Sequence, residues 1–345
     1  MYPAELGFRM PPEWARHMGT LMEWPIREAD WPEPFEEVLE VFADVARKIA
    51  EFEPVIMIAR PDLAKQAAKM CGPTIKILEI DHDDSWMRDN GPTFVVNDKE
   101  ELAGINWRFN AWGGKYPFEK DNLVAAKVLQ TLEVPAFHAP FIMEGGSIHV
   151  DGEGTLLTTE ECLLNANRNV SMTKEELENE LKRYLNIEKI IWLKKGLHGD
   201  DTDGHIDNVA SFVRPGVIIV QTTSNQDNPN YERSRDNLET LRNSTDAKGR
   251  KFEIIEIEQP SPAYYEDMHL TLSYINFYFV NGGIILPLFC GDHEETDRKA
   301  EAVLKKTFPE RKIVTVNGMP IIRGGGNVHC ITQQMPYGVP AKIQL

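Results

Sequence analysis

A recurring strand-and-turn unit constrains this chain more than any single motif. Asp89-Asn90-Gly91-Pro92-Thr93-Phe94-Val95 is matched 118 residues later by Asp207-Asn208-Val209-Ala210-Ser211-Phe212-Val213. Each runs into a hairpin: the first turns at Asn97-Asp98-Lys99, the second at Arg214-Pro215-Gly216 before returning as Val217-Ile218-Ile219-Val220. Two further stretches share the shape. Ser147-Ile148-His149-Val150 turns at residues 151–154, and Phe277-Tyr278-Phe279-Val280 turns at Asn281-Gly282-Gly283, a strong hairpin signal. Asn327-Val328-His329-Cys330-Ile331-Thr332 is a fifth candidate strand. With Val95, Val150, Val213, Val280 and Ile331 taken as equivalent, the spacings are 55, 63, 67 and 51 residues, and five such modules fill the chain.

Helical periodicity appears between the hairpins, over Phe35 to Phe52, Asn122 to Leu132, Thr173 to Leu185, Tyr231 to Arg242 and Glu294 to Thr307. Thr173 with Glu176 three residues on has the form of a capping box. Short apolar strands follow, such as Val55-Ile56-Met57-Ile58 and Lys189-Ile190-Ile191-Trp192-Leu193. Repeated hairpin, helix and strand units predict a single α/β domain over residues 1–345, closed as a five-bladed propeller; radial repetition protects the edges of its sheets. A doubly wound sheet is the competing architecture, but no dinucleotide-type glycine fingerprint follows a strand. Gly324-Gly325-Gly326 leads into a strand pattern and not a helix, which argues against a phosphate loop.

Bulk properties exclude several functions. A net charge of −17 argues against nucleic acid. It suits a cationic ligand, although a solvated acidic surface explains it as well. No apolar run is long enough to span a membrane. Met1-Tyr2-Pro3-Ala4-Glu5 has no basic stretch ahead of an apolar core, so the cytoplasm is the expected location. The four cysteines are widely spaced without a Cys-x-x-Cys pair, against a zinc ribbon or disulfide framework. Cys71, Cys162 and Cys290 read as buried small hydrophobes.

Cys330 differs. It follows three glycines, and its counterpart after Gly145-Gly146-Ser147-Ile148-His149 is Val150, so the backbone pattern does not require a thiol. Polar clusters stand ahead of the hairpins at 83–89, 144–146, 200–207 and 324–330, and in a closed ring these positions converge on the axis. Cys330 is then the expected nucleophile and His205, between Asp203 and Asp207, the expected catalytic imidazole. A His-x-Asp pair is also compatible with a metal, but no third ligand stands at helical or hairpin spacing from it, and no metal or cofactor is expected. Asp89 and Asp207 beside a thiol raise its pKa, which is unhelpful unless the substrate is a cation. A guanidinium offers the fork of N–H donors that carboxylates bind, and Trp86 can lie against its plane. Gly325, in the centre of the glycine run, is expected to bring backbone close to substrate.

Taken together, Trp86-Met87-Arg88-Asp89-Asn90-Gly91-Pro92, Glu144-Gly145-Gly146, Thr202-Asp203-Gly204-His205-Ile206-Asp207 and Gly324-Gly325-Gly326-Asn327-Val328-His329-Cys330 resemble the signature segments of agmatine deiminases. These are guanidino-group-modifying enzymes of the pentein fold, related to bacterial-type peptidylarginine deiminases. The resemblance runs from Met10-Pro11-Pro12-Glu13-Trp14 to Gln334. It implies a hydrolase converting agmatine to N-carbamoylputrescine and ammonia through an amidino-cysteine, in putrescine and polyamine biosynthesis, with no cofactor. Cys330 would be the nucleophile, His205 the general acid and base, and Glu144 a carboxylate beside it. Asp89 and Asp207 would hold the guanidinium, and Trp86 would line the pocket. Where this family commonly has Glu-Thr-Asp-Gly-His, this chain has Asp201-Thr202-Asp203-Gly204-His205, which makes Asp201 the residue to test for the distal amine. The implied partner is a small guanidino cation, with neither nucleic acid nor membrane, and a homodimer is one assembly open to the chain. Peptidylarginine is the alternative substrate, and a propeller that binds cationic ligands without turnover is the alternative class.

Overall fold

A computed structural model describes residues 1–26, 31 and 34–343. It is a mixed α/β structure in which one unit recurs: an antiparallel hairpin whose second strand pairs in parallel with a third strand. Thr93–Val96 and Glu101–Arg108 take Ala136–Ile142 as third strand; His149–Val150 and Thr155–Thr159 take Lys189–Leu193. Ala210–Arg214 and Val217–Thr222 take Glu253–Glu258; Tyr278–Val280 and Gly283–Leu288 take Lys312–Asn317. A helix connects the second and third strands each time: Val124–Thr131, Lys174–Leu185, Tyr231–Asn243 and Glu294–Thr307. The helices form where the sequence periodicity places them. Thr173 and Glu176 make the reciprocal capping box, which satisfies two otherwise open N–H groups.

The fifth unit is assembled differently from the expectation. Thr332–Pro336 pairs antiparallel with His17–Glu23, far away in sequence, with Gln333 opposite Leu21. His17–Glu23 then pairs in parallel with Val55–Ala59, with the helix Phe35–Ala50 between them, and Lys76–Glu79 extends the sheet. The first and last segments of the chain thus build one sheet together.

The strand expected over Asn327–Thr332 forms only from its last residue, Thr332, onward. Asn276 takes up the His329 N–H through both its main-chain carbonyl (3.1 Å) and its side-chain Oδ1 (2.9 Å). Ile331 N–H closes back on Asn327 O, leaving Cys330 on a turn. Cys290 is also corrected: it is exposed, with φ 57°, whereas Cys71 and Cys162 are buried as expected. Burial follows the pattern of the strands. Val217–Val220 are all buried, and the helix Phe35–Ala50 buries Val38, Leu39, Phe42, Val45, Ala46 and Ile49 at three- and four-residue spacing. Among the described residues, no helix is long and apolar enough to cross a membrane.

Candidate active site

Four short turns deliver the polar clusters. Met87–Asn90 is a single helical turn, and its Arg88 N–H donates to Cys330 O at 3.1 Å. Gly145–Ser147 follows Glu144 as a 3-10 turn, and Ile206–Asn208 follows His205 in the same way. They meet at Gly146. A Cβ there would lie 2.6 Å from His205 Nδ1 and 2.9 Å from carboxylate oxygens of both Asp89 and Asp207. Only glycine permits this convergence of three side chains from two other modules.

A cavity of about 110 Å³ opens above this point. Of the residues singled out from sequence, Trp86, Asp89, Asp201, Gly325 and Cys330 line it. Gly325 has φ 107°, a backbone shape that favours glycine, and open space beside its Cα. Glu144, His205 and Asp207 lie behind the lining, with 0%, 0% and 2% of their surface exposed. Asp201 is at the rim, where the Tyr116 hydroxyl donates to its carboxylate at 2.8 Å and Lys115 Nζ stands 3.7 Å away.

Cys330 Sγ is 3.6 Å from Asp207 Oδ2 and accepts from Asn276 Nδ2 at 3.2 Å. Burial, and then the Asp207 and Asp89 carboxylates, hold the thiol well above its usual pKa, so it stays protonated here. His205 Nε2 is 3.6 Å from Glu144 Oε2, and its Nδ1 is 3.8 Å from Asp89 Oδ1. Among the described residues, neither ring nitrogen has a hydrogen-bond partner. Burial opposes charge on this ring, but Asp89, Cys162 and Glu144 outweigh it and raise the pKa well above the ordinary value.

The carboxylates divide by environment. Asp89 is raised by burial and by the neighbouring Asp207 and Glu144, although it accepts from Gly146 N–H and Trp112 Nε1–H, both at 2.9 Å. Burial would raise Glu144 too, but Arg168 at 2.7 Å and then His205 bring it below the ordinary value. Asp207 is likewise lowered against burial by His329, which donates from Nδ1 to its Oδ2 at 2.9 Å. Its Oδ1 is buried without a partner.

Several site residues escaped the sequence reading. His329 and Glu13 form a buried pair at 2.8 Å beneath Asp207, with Arg88 reaching Glu13 at 3.5 Å. His329 had a signal, since it repeats His149, which stands 3.6 Å from the same Glu13. Trp112 and Tyr116 come from a segment with positive φ at Ala111 (49°), Trp112 (54°), Gly113 (101°) and Gly114 (77°), a conformation that no periodicity announces. Donors distant in sequence do approach His205: Cys162 arrives on the helical turn Glu160–Leu163, and Glu144, Cys162 and His205 hold donor atoms within 4.8 Å of one another. Arg168 on Glu144 makes the same spot unfavourable for a further cation.

A family model of Porphyromonas-type peptidyl-arginine deiminases matches residues 9–336. The agmatine deiminase of Pseudomonas aeruginosa (strain LESB58) is 44% identical over 359 residues, spanning 97% of both chains. Among solved structures, the agmatine deiminase of Enterococcus faecalis superposes with a TM-score of 0.94 at 37% identity, over 97% of this chain and 98% of the other. A Cys-to-Ser variant of the C. jejuni agmatine deiminase with substrate bound gives a TM-score of 0.87 at 30% identity, over 96% and 97%. With this match of sequence over nearly its whole length, the chain belongs to the Porphyromonas-type peptidyl-arginine deiminase family.

Proposed function

We propose that the protein hydrolyses agmatine to N-carbamoylputrescine and ammonia, as a cytoplasmic step in polyamine biosynthesis. The observation that carries this reading is the Cys330 thiol facing an acidic, aromatic-walled cavity, 3.6 Å from Asp207 and with the unpartnered His205 ring behind. The relatives named agmatine deiminase support it. The four hairpin-plus-strand units, with a fifth sheet built from Thr332–Pro336, His17–Glu23 and Val55–Ala59, support a single domain closed as a five-bladed α/β propeller, with the site on its axis.

The guanidinium would enter against Asp89 and the open Oδ1 of Asp207, over Trp86 and Trp112. Its positive charge offsets the carboxylates that raise the thiol, so Cys330 loses its proton to water only when substrate is present. Sγ then bonds to the guanidinium carbon. The C–N bond to one terminal nitrogen breaks as His205 gives it a proton, and ammonia leaves with the bonding pair. An amidino-cysteine remains. His205, now neutral, takes a proton from water; the hydroxide adds to the same carbon, the C–S bond breaks toward sulfur, and the ureido product departs. One ring acts as acid and then as base, and Glu144 stabilises its charged form. Water is the only co-reactant.

Walls of Trp31, Trp86, Trp112 and Tyr116 around a cavity of about 110 Å³ suit a slim alkylguanidine better than a peptide backbone. Asp201 at the rim would take the distal ammonium, in competition with Lys115 3.7 Å away. Ammonia release from agmatine, free arginine and an arginyl peptide, assayed in parallel, tests this. A large preference for agmatine in kcat/KM is expected, because an α-carboxylate would enter a negative cavity unpaired. Comparable efficiency on arginine or the peptide would overturn the assignment of agmatine.

A further inference from the structure

Arg168 lies outside the cavity, yet its side chain is fully buried, 2.7 Å from Glu144. We infer that Arg168 is the positioning residue of the acid–base pair: its guanidinium fixes Glu144 with one oxygen facing His205 and anchors the His205 loop to the same point. This rests on the reading of Glu144 and His205 given above.

Four contacts carry it. Arg168 Nε donates to Glu144 Oε1 at 2.7 Å, leaving Oε2 as the oxygen 3.6 Å from His205 Nε2. Nη2 donates to Thr202 O at 2.9 Å, and Thr202 Oγ1 in turn accepts from His205 N–H at 3.1 Å. Nη1 donates to Asp203 Oδ2 at 2.8 Å and to Asn167 Oδ1 at 2.7 Å. Asp203 itself has φ 63°, an unfavourable backbone shape for a non-glycine residue, and the Arg168 contact helps to hold it.

Arg168 is itself fixed to the strand that delivers Glu144. Its neighbour Asn169 brackets Ile142, accepting from the main-chain N–H at 2.8 Å and donating to the carbonyl at 2.7 Å. Asn167, on the other side, lies under Gly113, where an added Cβ would be 2.3 Å from its Nδ2. One guanidinium thus joins the Glu144 turn, the His205 turn and the support of the Trp112 segment. A lysine has the charge but not the rigid fork that meets these acceptors at once.

The test compares Arg168→Gln, Arg168→Lys and Glu144→Gln in the full-length protein, using whichever guanidine the wild type turns over. Arg168→Gln should lower kcat by about 10²-fold, the scale of a disabled acid–base pair. KM should change little, because Arg168 does not touch the cavity. Without the cation the Glu144 carboxyl titrates at higher pH, so the acid limb of the kcat profile should move up. Arg168→Lys should lower kcat while leaving that limb close to wild type, and it serves alone if Arg168→Gln does not fold. The double variant with Glu144→Gln should be no slower than Glu144→Gln itself. Wild-type kcat in Arg168→Gln, or a loss that leaves the limb in place and multiplies with Glu144→Gln, overturns the inference. Full activity in Glu144→Gln overturns the acid–base reading beneath it, and a different preferred guanidine overturns only the choice of agmatine.

Discussion

His205 and His329 are both buried beside the paired aspartates, and both are held above the ordinary histidine pKa. Their surroundings differ in kind. His329 is saturated, donating to Asp207 at 2.9 Å and to Glu13 at 2.8 Å. His205 has carboxylates on two sides at 3.6 and 3.8 Å and no hydrogen bond at either nitrogen. A saturated ring in a buried ionic network resists movement and proton transfer, whereas an unsatisfied one stays available to a ligand. The difference separates a saturated histidine from an unsatisfied one beside the same two aspartates. His149, the repeat counterpart of His329, is bonded to Ser211 at 3.1 Å and falls on the saturated side.

His205→Asn should lower kcat by about 10²- to 10⁴-fold, the range for a lost general acid and base. Its cost in stability should be the smaller of the two, because it loses only the ion contacts at 3.6 and 3.8 Å and no hydrogen bond. His329→Gln should show the reverse balance: removing one partner of a buried ionic network costs about 3–5 kcal/mol, read as a lower melting temperature. Both rings are raised on folding, so the stability they contribute is fully present below about pH 6.5 and is lost as pH rises through their folded values. Glu13 and Asp207 are lowered on folding, so their contribution is present above the ordinary carboxylate range and fades as pH falls below it. His329→Gln should flatten the alkaline loss. Equal melting temperatures in the two variants would erase the distinction.

A smaller effect sharpens the same contrast at the carboxylates. Asp89 already accepts from two donors, whereas Asp207 Oδ1 accepts from none. Asp89→Asn and Asp207→Asn should each lose about 1.5–3 kcal/mol of substrate or transition-state binding, one to two decades in kcat/KM. Asp207→Asn should also lower the Cys330 thiol's pKa, since that carboxylate is the nearer charge beside the sulfur. Near-wild-type kinetics in both variants would make these aspartates turn caps.

The repeat was legible because alternating apolar strands, turn residues and helical periodicity are local properties. Thr173 could be read as a cap, and Cys330 as specialised, from neighbours within a few residues. What escaped depends on distance. The pairing of Thr332–Pro336 with His17–Glu23 joins segments that no local pattern links. Arg168, in a loop between Leu163 and Lys174, has no periodicity to mark its burial. Glu13 was visible only as part of a family motif, and its role appears once His149, His329 and Arg88 surround it. Most of the strand expected over Asn327–Thr332 failed to form because one distant residue, Asn276, takes the His329 N–H with its carbonyl and its side chain.

If Cys330 is the group that becomes covalently bonded, mass spectrometry of enzyme acid-quenched during turnover of agmatine should find it modified. A peptide containing Cys330 should carry agmatine less ammonia, absent without substrate and absent in Cys330→Ser. Cys162 provides an internal control, since it is equally buried and stands 3.9 Å from Glu144, but does not line the cavity. An adduct on Cys162, or rapid turnover by Cys330→Ser, would contradict the account.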